Sequence, residues 1–287
     1  MSASAEFVQA LRLPTGGDDP EVDLAAIATD STPAHTGSKE DGVAELADLG
    51  ADLADLQERL FAEGRTGGSR RVLLILQGMD TSGKGGTVRA TVGLMDPQGV
   101  RITGFKAPTE EERQHDFLWR IDRALPEGGL VGVFDRSHYE DVLIARVRRF
   151  ADAEEIEGRY GAINDWERGL AEAGVTLVKC MLHISPAKQQ ERLLERLDRP
   201  DKHWKFNPGD IDERALWSDY QRAYEIALAR THTEHAPWHV IPADRKWYRN
   251  LAVGHLLHQA LLDLDLSWPK ADFDVAHERA RLLADED

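Results

Sequence analysis

Gly78, four further residues, then Gly83 and Lys84 make up the stretch whose spacing points most directly at chemistry. Small residues at this spacing let backbone N–H groups close around phosphate oxygens, and a lysine ending the turn adds a point charge. Ser82, Gly83, Gly85, Gly86 and Thr87 are the other phosphate-binding positions that the loop offers. Where P-loop ATPases and GTPases place a Mg²⁺-binding hydroxyl, this chain has Gly85. Either Thr87 substitutes or carboxylates hold the metal. Asp80, inside the loop, is the first candidate, because a carboxylate among phosphates is repulsive unless a cation sits between them.

A second group follows the apolar run Leu130–Phe134, which Asp135 and Arg136 close. An acidic residue ending a buried strand next to a phosphate loop is where such enzymes place a metal carboxylate. Arg136 has the right fork of donors to neutralise charge spreading over a transferring phosphoryl group. His138 is a weak candidate for a phospho-acceptor and reads better as a hydrogen-bonding residue. Lys106 lies in a loop at the carboxyl end of another strand, where ligands of open α/β sheets gather.

Positioning these groups requires a strand before each. Val72–Leu76 is a continuous apolar run of the kind buried on both faces, and it feeds straight into the glycine-rich turn. Val100–Phe105 reads as a second short strand, Leu130–Phe134 as a third, Val175–Ile184 as a fourth, mostly apolar one and Trp238–Ile241 as a last, and amphipathic stretches separate them. The fold class is therefore α/β with a central parallel sheet. Leu46, Leu49, Leu53, Leu56 and Leu60 recur at helical spacing, predicting a packing helix that faces the sheet or a sister subunit. Thr109 with Glu112 predicts a capping box, and Ser185-Pro186 a helix start. Asp210 to Arg230 reads as one long helix.

On the helix that begins at Ser185, Lys188, Arg192, Arg196 and Arg199 recur at steps of three and four and so share one face. Ordinary pairing with Glu191, Glu195 and Asp198 could absorb them. Lys202, His203, Trp204 and Lys205 continue the cationic run toward Pro208-Gly209, with the composition of a mobile flap over a phosphate site.

The 287 residues suffice for one large α/β domain, expected over 43–264. Residues 1–42 read as an acidic, extended or poorly ordered arm, and 265–287 as an acidic tail. The net charge of −16 is uneven: residues 1–58 hold 13 acidic and 2 basic residues, residues 263–287 hold 8 and 3, and the segment between is neutral. The middle can thus present basic clusters to phosphate. Nothing approaches the ~18 apolar residues of a membrane span, and the start lacks the basic and apolar pattern of an export signal. With a single cysteine, Cys180, the chain reads as cytosolic. No nucleic-acid module is recognisable.

Five blocks in order resemble the polyphosphate kinase 2 family. They are Gly78–Gly86, Pro97–Arg101 through Phe105–Thr109, His115–Arg120, Phe134–Leu143 and Lys202–Phe206. The resemblance implies a three-layer P-loop kinase-like fold with a helical lid at about 186–212. It also implies reversible phosphoryl transfer between inorganic polyphosphate and an adenine or guanine nucleotide, with Mg²⁺ or Mn²⁺. Asp80 and Asp135 then match metal and catalytic carboxylates, Lys84 the loop lysine and Arg136 its phosphate-binding neighbour. Arg196, Arg199, Lys202 and Lys205 would be phosphate-binding lid residues, in a homo-oligomer that is a dimer or tetramer. The wording is closest to members that accept AMP as well as ADP, whereas Gly85 stands where those members often carry an acidic residue. Two rivals share the same loop: an ATP-dependent nucleotide kinase and a non-catalytic polyphosphate or nucleotide sensor.

Overall fold

The structure, a computed structural model, describes residues 2–14 and 21–284. Its strands are β1 (Arg71–Gln77), β2 (Val100–Gly104), β3 (Val131–Asp135), β4 (Val175–His183) and β5 (Trp238–Pro242). They form one parallel sheet in the order β2-β3-β1-β4-β5. The helices are α1 (Ala3–Leu11), α2 (Lys39–Arg65), α3 (Lys84–Thr91), α4 (Trp119–Asp122), α5 (Ile144–Val147) and α6 (Ala153–Glu172). Then come α7 (Pro186–Asp198), α8 (Gly209–Ala215), α9 (Trp217–Thr231), α10 (Lys246–Leu262) and α11 (Val275–Ala284).

Strands β1, β3, β4 and β5 fall on apolar runs, because a strand covered on both faces has no polar side to reveal a period, whereas β2 is a half-exposed edge strand. The alternation of β1 divides the core in two. Val72, Leu74 and Leu76 join the layer made with α2 and α10, whereas Leu73 and Ile75 join the layer made with α6 and α9. Leucines 53 and 60 of α2 are fully buried in the first layer, and Gly254 of α10 permits the approach, since a Cβ there would lie 2.7 Å from Leu46. Helix α2 starts earlier than the leucine spacing alone shows, where Ser38 and Asp41 form a reciprocal capping box.

The chain crosses from β1 outward to β2, returns to β3, and continues on the other side of β1 to β4 and β5. Strand β1 therefore exits at the switch in direction, the crevice where such sheets bind ligands.

Several expectations are corrected. The amino-terminal arm is not merely extended or poorly ordered: α1 buries Phe7 and Leu11, Leu24 is also buried, and the Leu13 N–H donates to the Trp238 carbonyl at 3.1 Å. Residues 15–20 of that arm lie outside the described part, as do 285–287 of the tail. The expected helix from Asp210 to Arg230 is broken at Leu216, which leaves α8 and α9 as separate rods. The Thr109–Glu112 capping box forms, with bonds of 2.8 and 3.2 Å, yet it leads only a 3₁₀ turn over Glu112–Gln114.

Candidate active site

Strand β1 ends at Gln77, and the loop that follows turns on two glycines. Gly78 has φ +147° and Gly83 has φ +108°. Neither tolerates a side chain: a Cβ on Gly78 would lie 2.7 Å from the Leu182 carbonyl oxygen, and one on Gly83 would lie 1.7 Å from Arg249 Nη1. Helix α3 begins at Lys84 with no side chain capping it, so its first-turn N–H groups remain for a ligand.

Lys84 is buried, and its Nζ donates to the Gly78 carbonyl at 2.8 Å. Burial pushes its pKa down and neighbouring Arg136 adds to this, against the pull of Asp80, Asp135 and Glu140. Across the cleft, Arg136 Nη2 donates to Asp80 Oδ1 at 2.9 Å. Burial works against the Arg136 charge, but Glu140 and Asp80 outweigh it and hold the guanidinium firmly cationic. Asp135 is brought beside the exit of β1 by register, facing Leu76 on one side and Gly104 on the other. Among the described residues no donor reaches its carboxylate, and its backbone carbonyl accepts from the Phe105 N–H at 3.1 Å.

Asp80 and Arg136 open on a cleft of about 230 Å³ lined also by Gly78, Glu140, Asp210 and Tyr224, among others, whereas Lys84 and Asp135 are not among its lining residues. Glu140, Asp210 and Tyr224 were not singled out in the sequence. Glu140 sits among the titratable groups of the site, and burial raises its pKa against the opposing pull of Arg136 and Lys84. Its signal was its place in the Phe134–Leu143 block. Tyr224 belongs to the core layer made with α6 and α9 and also lines the cleft.

Other expected site residues stand elsewhere. Thr87 is buried, its hydroxyl donates back to the Gly83 carbonyl at 3.2 Å, and it is not among the residues that line the cleft. Ser82 is buried, with its Oγ unpartnered. Gly85 faces open space, where an added Cβ would meet nothing within 4 Å. Lys106 is exposed, and its carbonyl accepts from Arg120 Nη1 at 2.9 Å.

The cations expected in a lid are not among the residues that line this cleft. Arg196 pairs with Asp210 at 3.1 Å, Arg199 with Asp201 at 2.8 Å, and Lys202 with Glu195. Lys205 has its ammonium 4.9 Å from the Trp204 ring centre. Arg192, on the same sequence stripe, is instead buried against the glycine-rich loop, donating to the Thr81 and Ser82 carbonyls. The neighbouring run is partly neutralised too, Arg146 by Glu157 and Arg148 by Glu213. His138 is buried in the core, 3.4 Å from Glu167.

A parallel sheet whose central strand feeds a glycine loop, with a buried lysine and an Asp–Arg pair across the exit, defines a P-loop phosphotransferase. Residues 36–267 match the family described as Polyphosphate kinase 2, and the chain belongs to that family. It is 44% identical over 254 residues to the AMP/ADP-polyphosphate phosphotransferase of Meiothermus ruber, covering 88% of this chain and 94% of the relative. To the ADP-polyphosphate phosphotransferase of Rhodopseudomonas palustris it is 39% identical over 266 residues, covering 88% and 90%. The crystal structure of Polyphosphate Kinase 2 from Arthrobacter aurescens TC1 superimposes with a TM-score of 0.93 at 57% identity, covering 99% of this chain and 97% of that one.

Proposed function

We propose that this chain transfers the terminal phosphoryl group of inorganic polyphosphate to adenine nucleotides, ADP to ATP and AMP to ADP, and catalyses the reverse. The observation that carries the reading is the Asp80–Arg136 pair facing Lys84 at the mouth of the glycine loop. Phosphoryl transfer asks the protein for in-line placement and charge compensation rather than covalent help. Lys84 and Arg136 supply two cations, one from each side of the exit of β1. The α3 N-terminus adds backbone donors.

A divalent cation fits the remaining groups. Asp80 and Asp135 are hard oxygen donors next to a phosphate loop, and Mg²⁺ commonly takes one or two carboxylates plus phosphate oxygens. The Asp135 carboxylate has no competing donor among the described residues, and only Oδ1 of Asp80 is engaged, by Arg136. Bound there, Mg²⁺ would supply charge stabilisation shared between donor and acceptor phosphates. Asp80 and Asp135 are its holders in this reading. Arg136 orients Asp80, Lys84 steadies the group in transfer, and Arg196, Arg199, Lys202 and Lys205 close from the lid once their intralid pairs exchange for phosphate.

Chromatography of nucleotides after incubation with Mg²⁺, long-chain polyphosphate and either ADP or AMP tests the reading. ATP from ADP and ADP from AMP are expected. Phosphorylation that requires ATP and ignores polyphosphate would instead identify an ATP-dependent nucleotide kinase.

A further inference from the structure

Two buried guanidinium groups lie behind the phosphate loop, outside the cleft. Arg192 of α7 is 5% exposed and Arg249 of α10 is 3% exposed. Arg192 Nη1 donates to the carbonyl oxygens of Thr81 at 2.8 Å and Ser82 at 3.0 Å, while Nη2 donates to those of Ala243 at 2.7 Å and Asp244 at 3.0 Å. Arg249 Nη1 reaches the same Ser82 carbonyl at 3.0 Å, and its Nε and Nη2 donate to Asn250 Oδ1 at 3.2 and 2.8 Å. Its guanidinium is wedged beneath the first turn of α3, since Cβ atoms on Gly83 and Gly86 would fall 1.7 and 3.2 Å from its nitrogens.

Neither arginine has a carboxylate within ion-pair reach among the described residues. The acidic groups nearest Arg192 are engaged elsewhere: Glu191 with Lys188 at 2.5 Å, Glu195 with Lys202 and with Lys246 at 3.5 Å, and Asp244 with Thr29 Oγ1 at 2.8 Å and the Ser185 N–H at 2.9 Å. Burial, with the Arg192 charge adding to it, pushes Arg249 down to about 9. A buried, unpaired cation is costly, and the carbonyl dipoles that take up the Nη donors, with Arg192 Nε left unpartnered, do not cancel the charge. The two charges converge on one peptide. The Ser82 carbonyl that both arginines hold is trans to the Gly83 N–H, so pinning the oxygen directs that N–H to the opposite side.

We propose that Arg192 and Arg249 are positioning residues for the phosphate loop, holding the Thr81 and Ser82 carbonyls back and forming a second cationic layer balanced only when a phosphoanion occupies the loop. This rests on the reading of Gly78–Thr87 as the phosphate site. Helix α7 leads into the lid, so the loop and the root of the lid share the Arg192 anchor.

Titration calorimetry with inorganic tripolyphosphate on the full chain, paired with thermal melts with and without it, tests the inference. Arg249→Gln is expected to weaken tripolyphosphate binding by about tenfold or more and to shrink the ligand-induced rise in Tm, whereas Arg249→Lys retains binding within about threefold. The KM for polyphosphate rises more than kcat falls. Arg192→Gln removes the other charge and serves the same test should Arg249→Gln not yield soluble protein. Binding as tight as wild type in the Gln variants overturns the inference. So does an equal loss in the Lys and Gln variants that tracks a common fall in Tm, which would make these arginines structural props. Lys84→Ala separates the underlying reading: if it binds tripolyphosphate like wild type, the phosphate loop itself is misassigned. If it loses binding while both Gln variants keep it, only the arginine inference falls.

Discussion

Arg136 Nη2 donates to Asp80 Oδ1 at 2.9 Å, which joins the residue after β3 to the loop after β1. Arg136 itself, and Thr81 next to Asp80, are in the left-handed region without being glycine, with φ +66° and +64°. Such conformations cost about 1–3 kcal/mol each and persist where surrounding structure enforces them. Here the enforcing contacts are the Arg136 N–H to the Leu76 carbonyl at 3.1 Å and Arg192 to the Thr81 carbonyl at 2.8 Å.

Removing the charge on either side of this pair should cost turnover and spare the fold. For Asp80→Asn and Arg136→Gln we expect kcat to fall by about 10²–10³, the size of effect seen when one transition-state electrostatic partner is lost. Steady-state kinetics alongside a thermal melt reads both. A kcat within about threefold of wild type would take that residue out of the mechanism.

Gly83→Ala should damage both properties together. The residue has φ +108°, and its new methyl would collide with Arg249 Nη1. Strain and overpacking together should lower unfolding free energy by roughly 2–4 kcal/mol, measured by urea titration. A fully stable, active Gly83→Ala protein would show that the loop is not held as described.

Behind the site, Lys179 lies fully buried and donates to Glu167 at 2.7 Å, Tyr139 Oη at 2.9 Å and the Thr231 carbonyl at 2.8 Å. Glu167 also accepts from the Tyr139 hydroxyl at 2.7 Å. Breaking the pair with Glu167→Gln strands a buried ammonium and should cost about 3–5 kcal/mol. Tyr139→Phe removes one hydroxyl from the network and should cost about 1–3 kcal/mol. Equal effects in urea unfolding would contradict the idea that charge, rather than packing, dominates here.

The docking of α1 should be sensitive to acid. Ser4 Oγ lies 2.8 Å from Nδ1 of both His255 and His258, while His255 Nε2 meets Glu45 at 2.8 Å and His258 Nε2 lies 4.0 Å from Asp52. His35 adds a further bond to Glu45 at 3.1 Å. Burial lowers the pKa of His255 and of His258 from the ordinary 6.5, outweighing the carboxylates. A depressed folded-state pKa means that stability is present above the unfolded value and is lost as pH falls. The protection of α1 amides against hydrogen exchange, relative to the intrinsic rate at each pH, should therefore fall between pH 7 and about pH 5. Protection that is flat across that range would refute the coupling.

Much of the architecture was legible because the signals were of the strongest kind. Four buried runs became four strands, the half-exposed Val100–Gly104 became the edge strand β2, and the glycine-rich stretch after the first strand became a tight loop opening α3. The arm failed to show its helix because Phe7, Val8 and Leu11 make barely two turns of periodicity amid Ser, Thr, Gly and Pro; its order comes from packing on α10. Arg192 could not be told from Arg196 by spacing, because both share a helix stripe. Only the tertiary approach of α7 to the Thr81 and Ser82 carbonyls separates a buried loop anchor from a lid cation. Thr87 and the carboxylates were the two alternatives for holding a metal, and Thr87 is fully buried and does not line the cleft. Arg249 had no motif at all, and its signal is the missing Cβ on Gly83.

The most direct test of the central claim is ³¹P NMR of ATP formed from polyphosphate and ADP by wild type, Lys84→Ala and Asp135→Asn. A γ-phosphate signal growing with wild type is expected, with rates lowered by about 10²-fold or more in both variants, which remain folded. ATP formation at an undiminished rate in either variant would contradict the assignment of the cleft.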